Sequence, residues 1–310
     1  MPLDAATTAF LAEMTASGAK PIHESTPEEV RALGGMLADL YGPGPEVAHI
    51  ADHTVNTPTG DFTVRVMTPE NPRGILIYYH GGGWVIGALD EYNTLGRKLA
   101  TQTGCTVVLP EYRLAPEHRY PTAADDAYAA LEWVAAHAVQ LGGSDLPIIV
   151  SGDSAGGNLA TVTALRARDR HGPQIAMQVL IYPVTDADFD RPAYHRPENQ
   201  LLLSRDGMIW FWDHYLPDAA RRTEPDAAPL RAENLAGLPP TFMLLAEYDV
   251  LRDEGEAYAA RLQAAGVPIE TKVYEGQMHA FFTLVHFPAS AQAISDMAAA
   301  IDTHVFASTA

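Results

Sequence analysis

The chain has 310 residues, of which 47% are hydrophobic and 19% charged, a composition typical of a globular protein and not of a disordered one. Its formal net charge of −19 would repel the phosphates of nucleic acids and of anionic membranes, so we expect neither as a partner. Its one cysteine, Cys105, excludes an intramolecular disulfide and a cysteine-based metal cluster.

The N-terminal sequence has no basic region followed by a long apolar run, and the chain contains no apolar stretch of about 18 residues. We therefore expect a cytoplasmic protein without a membrane span.

Residues 1–45 have a helical pattern: Thr26, Pro27 and Glu29 form a capping box with proline at the first helical position, and Gly42 ends the run. Because no strand pattern accompanies them, these residues predict helices that pack on the following domain as part of a cap.

Strands and helices alternate in the rest of the chain. Residues 47–55 and 61–67 flank a Thr-Pro-Thr-Gly turn and predict an antiparallel hairpin. Short apolar runs then predict strands at 74–80, 106–110, 147–151, 177–182, 241–246 and 269–274. Helical patterns lie near 91–102, 121–140, 155–170, 252–265 and 289–305. This alternation predicts an α/β fold with a mostly parallel central sheet flanked by helices, built from residues 46–184 and 231–310.

Residues 185–230 interrupt the alternation. They are rich in Asp, Pro and Arg and are too long for a plain connection between strands, which predicts a cap insertion. An aromatic cluster in this segment, together with a tryptophan that follows a glycine run, could line a substrate pocket or belong to the core. The residues considered for the pocket are Trp84, Met208, Phe211 and Trp212.

Two glycine-rich motifs follow predicted strands. GDSAGG begins at Gly152, between a strand and a helix, which is the context of a nucleophile elbow that raises the Ser154 hydroxyl above the sheet. HGGGW begins at His80, where bare backbone N–H groups can approach a ligand oxygen and stabilise an oxyanion. A dinucleotide loop is disfavoured because Ile86 occupies the position of the last glycine in G-x-G-x-x-G.

A serine nucleophile needs a base, and the base needs an acid to orient it. Among 12 histidines, His279 is favoured because it follows the last predicted strand, and His286 is the competing candidate. Asp249 follows the preceding strand at the edge of the sheet where α/β active sites gather. Asp253 is the alternative acid, although its position at a helix start favours a structural role.

With these motifs in place, the sequence resembles the bacterial hormone-sensitive-lipase-like carboxylesterases of the α/β-hydrolase fold, in the branch that carries GDSAG. The likeness also includes YRLAPEH from Tyr112, IYP from Ile181 and DVLRDEG from Asp249. It implies the following catalytic residues: Ser154 as nucleophile, His279 as base and Asp249 as acid, with an oxyanion hole formed by the N–H groups of Gly82, Gly83 and Ala155. It also implies a cap made from the N-terminal helices and the insertion after the sixth strand.

The chain departs from this family at two positions. Ala280 replaces the usual glycine after the histidine, which predicts mild strain if the position needs a positive φ, and Val250 replaces the usual proline after the acid. The expected function is hydrolysis of short- to medium-chain acyl esters through an acyl-enzyme, without metal or organic cofactor. The alternatives are amide hydrolysis with the same residues and a non-catalytic receptor, such as the plant gibberellin receptors that lack this histidine. The resemblance also implies a homodimer paired through the last strand.

Overall fold

The computed structural model describes residues 2–18 and 20–307 and, at residues 33 and 36–40, the backbone alone. In this part of the chain eight strands form one sheet with the order β1-β2-β4-β3-β5-β6-β7-β8. Their bounds are β1 His49–Val55, β2 Phe62–Thr68, β3 Ile75–Tyr79, β4 Thr106–Glu111, β5 Ile148–Asp153, β6 Met177–Ile181, β7 Thr241–Tyr248 and β8 Ile269–Met278. The pairs β1–β2 and β2–β4 are antiparallel, and the remaining pairs are parallel.

Helices cover both faces of this sheet. Their bounds are α1 Ala5–Ser17, α2 Pro27–Tyr41, α3 Asn93–Thr103, α4 Thr122–Ala136, α5 Ala155–Asp169, α6 Pro192–His195, α7 Arg205–Tyr215, α8 Arg252–Ala264 and α9 Pro288–Ile301. The side chains of β3 alternate between two hydrophobic clusters: Ile77 and Tyr79 pack with α4 and α5, whereas Leu76 and Tyr78 pack with α3 and α9. Because both faces are buried, the central strands are apolar at nearly every position, which is the pattern the sequence shows.

The N-terminal helices contact different parts of the molecule. The capping box at Thr26 and Glu29 is present at the start of α2. α1 packs against the end of the sheet, where the Asp4 N–H donates to Gly276 O (3.0 Å) and the Phe10 ring lies 5.8 Å from that of Phe287. Arg31 on α2 reaches the loop after β3 and donates to Val85 O at 2.8 Å. α1 therefore packs at the carboxyl end of β8 and α2 at the loop after β3.

The last two strands extend further than their apolar runs predict. β7 ends at Tyr248 instead of Ala246, and β8 ends at Met278 instead of Tyr274. The extra residues of β8 include Glu275, Gly276 and Gln277, whose composition hides a strand that is paired on one side only. As a result, the residues that follow β7 and β8 directly are Asp249 and His279.

The segment between β6 and β7 is fixed to the core by buried polar groups. The carboxylate of Asp186 is almost fully buried and pairs with Arg191 (2.7 Å) and with Arg231 (2.8 Å), so that one side chain joins the beginning of the insertion to its end. Glu254 on α8 accepts the N–H groups of Thr185 (2.7 Å) and Asp186 (3.2 Å). Burial raises the pKa of Glu254 to about 8.

Cys105 lies before β4 with no exposed surface, and burial raises the pKa of its thiol to about 11. None of the helices in the described part of the chain has the length and hydrophobicity that crossing a membrane requires.

Candidate active site

Ser154 occupies the tight turn between β5 and α5. Its backbone has a positive φ of 55°, a conformation that costs energy for a residue with a side chain and is held only where the surroundings enforce it. The small residues around it allow this turn to form. A Cβ at Gly156 would lie 1.9 Å from the carbonyl oxygen of Tyr79, so α5 can begin this close to β3 only with glycine at that position.

The structure brings Ser154, His279 and Asp249 together from the ends of three strands. Nε2 of His279 lies 3.0 Å from Oγ of Ser154, and Nδ1 of His279 lies 2.7 Å from Oδ2 of Asp249. An ionised carboxylate can only accept, so Nδ1–H donates to Asp249, and Nε2 is left to accept the serine hydroxyl proton. All three residues are buried, and the side chain of Ser154 is 6% exposed.

The carboxylate of Asp249 is held in place from two sides. Its Oδ1 accepts the backbone N–H of Leu251 at 2.9 Å, while Oδ2 faces His279. The carbonyl of Asp249 accepts from the amide of Asn199, 3.1 Å away, which belongs to the insertion between β6 and β7. The insertion therefore contacts the loop that carries the acid.

The glycine loop after β3 turns its backbone by successive positive φ angles, 96° at Gly82, 58° at Gly83 and 62° at Trp84. Within residues 2–18 and 20–307, the N–H groups of Gly82, Gly83 and Ala155 donate no hydrogen bond. Ala155 is the first residue of α5, where the N–H groups have no partner within the helix and the helix dipole favours negative charge. These three donors are the kind of group that stabilises an oxyanion.

The competing residues lie elsewhere. The ring of His286 packs 5.4 Å from that of Tyr41, and Oδ2 of Asp253 accepts the N–H of Ala193 at 2.7 Å. His80 is buried and stacks on Tyr112 with 4.2 Å between ring centroids. Its burial lowers the pKa of His80 to about 4. Among the histidines and acids considered, only His279 and Asp249 are hydrogen-bonded in line with Ser154.

The residues considered for the substrate pocket are almost entirely buried. Trp84 and Trp212 have no exposed surface, because the Trp84 ring stacks on Tyr215 (4.1 Å) and meets Trp212 edge-on (4.9 Å). Both tryptophans pack with the core here, which is one of the two roles considered for them, and pocket lining stays a prediction. Met208 and Phe211 are 1% and 3% exposed.

Phe211 nevertheless contacts the glycine loop. A Cβ at Gly83 would lie 2.2 Å from Cδ1 of Phe211, so the ring rests directly on the backbone of that residue. The helix α7 thereby covers the loop that presents the free N–H groups.

Two further residues contact the candidate triad, and neither is among the site residues predicted from the sequence. Asn199 fixes the loop of Asp249, and no local pattern in an irregular insertion distinguishes it. The Tyr182 ring lies 4.6 Å from that of His279, and the backbone of Tyr182 has a positive φ of 34°. Burial raises the pKa of the Tyr182 phenol well above its usual value. In the sequence, Tyr182 is indicated by the Ile-Tyr-Pro run that forms part of the family resemblance.

The sheet order, the elbow after β5 and the hydrogen-bonded Ser, His and Asp define a hydrolase of the α/β type. A family model described as the alpha/beta hydrolase fold matches residues 76–283, and the chain belongs to this family.

Similar proteins share most of the chain. Carboxylesterase NlhH of Mycobacterium tuberculosis is 43% identical over 242 residues, 75% of either chain. Ethyl acetate hydrolase of Pseudomonas putida is 38% identical over 85% of this chain and 86% of that protein. The crystal structure of a thermostable esterase from Pseudomonas putida has a TM-score of 0.91 at 35% identity and covers 98% of both chains. A hyperthermophilic esterase from the archaeon Pyrobaculum calidifontis has the same score and identity over 98% of this chain and 99% of that one.

Proposed function

We propose that this chain, a serine carboxylesterase, hydrolyses esters with Ser154 as nucleophile, His279 as base and Asp249 as the acid that orients the base. The observation that carries the assignment is the unbroken line of hydrogen bonds from Asp249 through His279 to Ser154, with distances of 2.7 Å and 3.0 Å. The names of the relatives, which are carboxylesterases and esterases, support ester hydrolysis as the reaction.

The reaction follows from this geometry. Oγ of Ser154 attacks the ester carbonyl while Nε2 of His279 takes its proton, and the carboxylate of Asp249 stabilises the imidazolium that forms. The carbonyl oxygen becomes an oxyanion, which the N–H groups of Gly82, Gly83 and Ala155 stabilise. The bond to the alcohol then breaks, and His279 returns its proton to the leaving oxygen. A water molecule, deprotonated by His279, attacks the acyl-enzyme and releases the carboxylic acid and the serine hydroxyl.

The small exposure of the site supports substrates with short acyl groups. Only 6% of Ser154 and 8% of His279 is exposed, and Phe211 covers the glycine loop, so a long chain has little room beside the nucleophile. One relative is named for ethyl acetate, an ester with a two-carbon acyl group. Turnover of nitrophenyl esters from acetate to palmitate tests this: we expect kcat/KM to be highest for short chains, and a maximum at palmitate would contradict it.

Active-site labelling tests the proposed function most directly. A fluorophosphonate reacts with an activated serine, so we expect one adduct on the wild-type chain and none on Ser154→Ala, whose esterase activity falls by at least ~10³-fold. Ser151→Ala is the matched control, because this serine is also buried, lies three residues earlier on β5 and has no hydrogen-bond partner within the described residues. An adduct that persists on Ser154→Ala, or disappears from Ser151→Ala, would contradict the assignment.

Two alternatives are separated by further assays. Amide hydrolysis uses the same acyl-enzyme, and a paired assay with an anilide and a nitrophenyl ester of one acid measures the preference. A receptor would bind small molecules without turnover, and the His279–Ser154 hydrogen bond counts against that function.

Homodimer formation and a cytoplasmic location stay predictions. The edge position of β8 leaves a strand that a second copy could pair with, and light scattering on the purified protein tests this.

A further inference from the structure

A second carboxylate lies beside the nucleophile. Asp153 is the last residue of β5, directly before Ser154, and is 4% exposed. Its Oδ1 accepts two hydrogen bonds, from the hydroxyl of Tyr78 at 2.8 Å and from the backbone N–H of Gly81 at 2.9 Å. Burial raises the pKa of Asp153 to about 6, so above pH 7 the group is mostly ionised and acts only as an acceptor. The proposed mechanism gives this carboxylate no role.

The bond to Gly81 fixes the start of the glycine loop. Gly81 approaches the carboxylate so closely that a Cβ on it would lie 2.2 Å from Oδ2 of Asp153. The residues that follow, Gly82, Gly83 and Trp84, all have positive φ and belong to no strand. The later part of the loop is held by Gly82 O, which accepts from the N–H groups of Val85 and Ile86 (both 3.0 Å). At its start, the direction of the N–H groups depends on how Gly81 is held.

The charge on Asp153 makes this anchor stronger than a neutral contact. Hydrogen bonds to an ionised acceptor are about twice as strong as neutral ones, and burial removes the competition from water. The N–H of Gly81 donates to the carboxylate at 2.9 Å and, at the longer distance of 3.1 Å, to the hydroxyl of Tyr92, whereas the N–H groups of Gly82 and Gly83 have no partner within the described residues. Asp153 is covalently joined to Ser154, so the anchor links the nucleophile to the donors.

We propose that Asp153 is a positioning residue, which holds the N–H groups of Gly82 and Gly83 at a fixed distance from Oγ of Ser154 while the oxyanion forms. The proposal rests on the proposed function of these groups. The oxyanion exists only after attack, so the anchor stabilises the transition state and contributes little to the binding of the ester. The expected signature is a fall in kcat with little change in KM.

The test measures Asp153→Ala against Asp153→Asn with nitrophenyl acetate. Asn keeps an oxygen that accepts from Gly81 and Tyr78, whereas Ala removes it. We expect Asp153→Ala to lower kcat by ~10²-fold, the loss typical of misplaced catalytic groups, with KM changed less than about threefold. Asp153→Asn, whose neutral oxygen accepts more weakly than a carboxylate, should recover part of the loss. Tyr79→Phe is the matched control, since its equally buried hydroxyl donates to Ala127 O away from the loop, and we expect wild-type kcat.

An arylboronic acid gives a readout that a purely structural role would not change. It forms a tetrahedral adduct with a nucleophilic serine and places an oxygen where the oxyanion would be, so its affinity should fall in parallel with kcat across these variants. Gly81→Ala covers the case in which Asp153→Ala does not fold, because the added Cβ forces the loop away from the carboxylate and should lower kcat in the same way. The proposal is overturned if folded Asp153→Ala, or Gly81→Ala in its place, keeps wild-type kcat and boronic acid affinity, or if Tyr79→Phe loses as much. Fluorophosphonate labelling of the wild type is unaffected by that result, so failure of this proposal is distinct from failure of the proposed function.

Discussion

In the sheet, each residue of the candidate triad directly follows a strand end, whereas residues 185–230 are irregular for much of their length and are held by apolar side chains of α7 in the core and by buried polar side chains at the base of the insertion. Ser154 follows β5, Asp249 follows β7 and His279 follows β8, so the alignment of parallel strands brings them to one edge. The insertion contains the α-helices α6 and α7 and short 3-10 turns, and Asp186 and Glu254 tie its base to the core.

This difference separates the two kinds of effect that substitutions should have. The candidate triad lies on a scaffold that is stabilised by a large apolar core, so removing a catalytic group should lower the rate and leave folding nearly unchanged. At the base of the insertion, two buried carboxyl groups, Asp186 and Glu254, make the hydrogen bonds and ion pairs that hold it to the core, so a change there should alter stability first.

The largest effect is expected when the catalytic base, His279, is removed. His279→Ala removes the group that accepts the serine proton, and we expect kcat to fall by ~10³-fold or more while the midpoint of urea denaturation changes little. His286→Ala is the control, since this ring packs on Tyr41 away from Ser154, and it should retain activity. If the two variants lost similar activity, the assignment of the base would be wrong.

The next effect is a dependence of stability on pH. The pKa of Glu254 is about 8 in the folded chain and near 4.5 when exposed, so the native state binds this proton more tightly. Its contribution is complete below pH 4.5 and is lost as the pH rises through about 8, with a slope of up to ~1.4 kcal/mol per pH unit. Glu254→Gln should remove this slope. Urea denaturation at pH 5, 6.5 and 8 measures it, and parallel curves for both proteins would contradict the prediction.

A smaller effect on stability is expected at Asp186, the other buried carboxyl group at the base of the insertion. Asp186→Ala leaves Arg191 and Arg231 without their shared carboxylate, and because both arginines are partly exposed and can hydrate, we expect a loss of about 2 kcal/mol in the free energy of unfolding. Asp190→Ala, in an exposed ion pair of the same segment, should cost less than about 0.5 kcal/mol. If Asp186→Ala lowered kcat as much as His279→Ala and left the free energy of unfolding unchanged, the distinction between the two regions would be wrong.

The smallest effect is expected at Ala280, which follows the catalytic base His279. Ala280 has a φ of 71°, the strained conformation that its replacement of glycine predicted. Ala280→Gly relieves backbone strain of about 1–2 kcal/mol, but glycine makes the unfolded chain more flexible, which costs about 0.5–1 kcal/mol. We therefore expect the free energy of unfolding to rise by up to ~1 kcal/mol, as measured by thermal or urea denaturation. Ala265→Gly is the matched control, because its φ of −82° gives glycine no advantage and the change should destabilise. Equal losses at both positions would show that Ala280 is not strained.

The sequence predicted the features that repeat with a regular period or occupy a defined place relative to a strand. The parallel strands, the hairpin of β1 and β2 and the capping box of α2 are examples, because each depends on local residue order. The two glycine motifs were found for the same reason, as glycine is required where backbones approach closely, as at Gly156.

The remaining features depend on contacts between distant residues. Trp84 and Trp212 were considered for a pocket, but the Trp84 ring packs on Trp212 and Tyr215 of α7, which lie far along the chain, where no local periodicity indicates the contact. The ends of β7 and β8 were missed because their polar residues resemble a loop, and β8 is also the edge strand of the sheet. The contact of Asn199 with the Asp249 carbonyl likewise joins an irregular segment to a strand end.

The burial of Cys105 has a practical consequence for measuring motion in solution. The chain has one cysteine, and its thiol has no exposed surface and a pKa near 11, so alkylating dyes at neutral pH should leave the native protein unmodified. A cysteine introduced at an exposed position such as Asp190 would then be the single labelled position without removal of the natural one. Fluorescence or spin-label spectra from that position would report directly whether the insertion moves when an inhibitor reacts with Ser154.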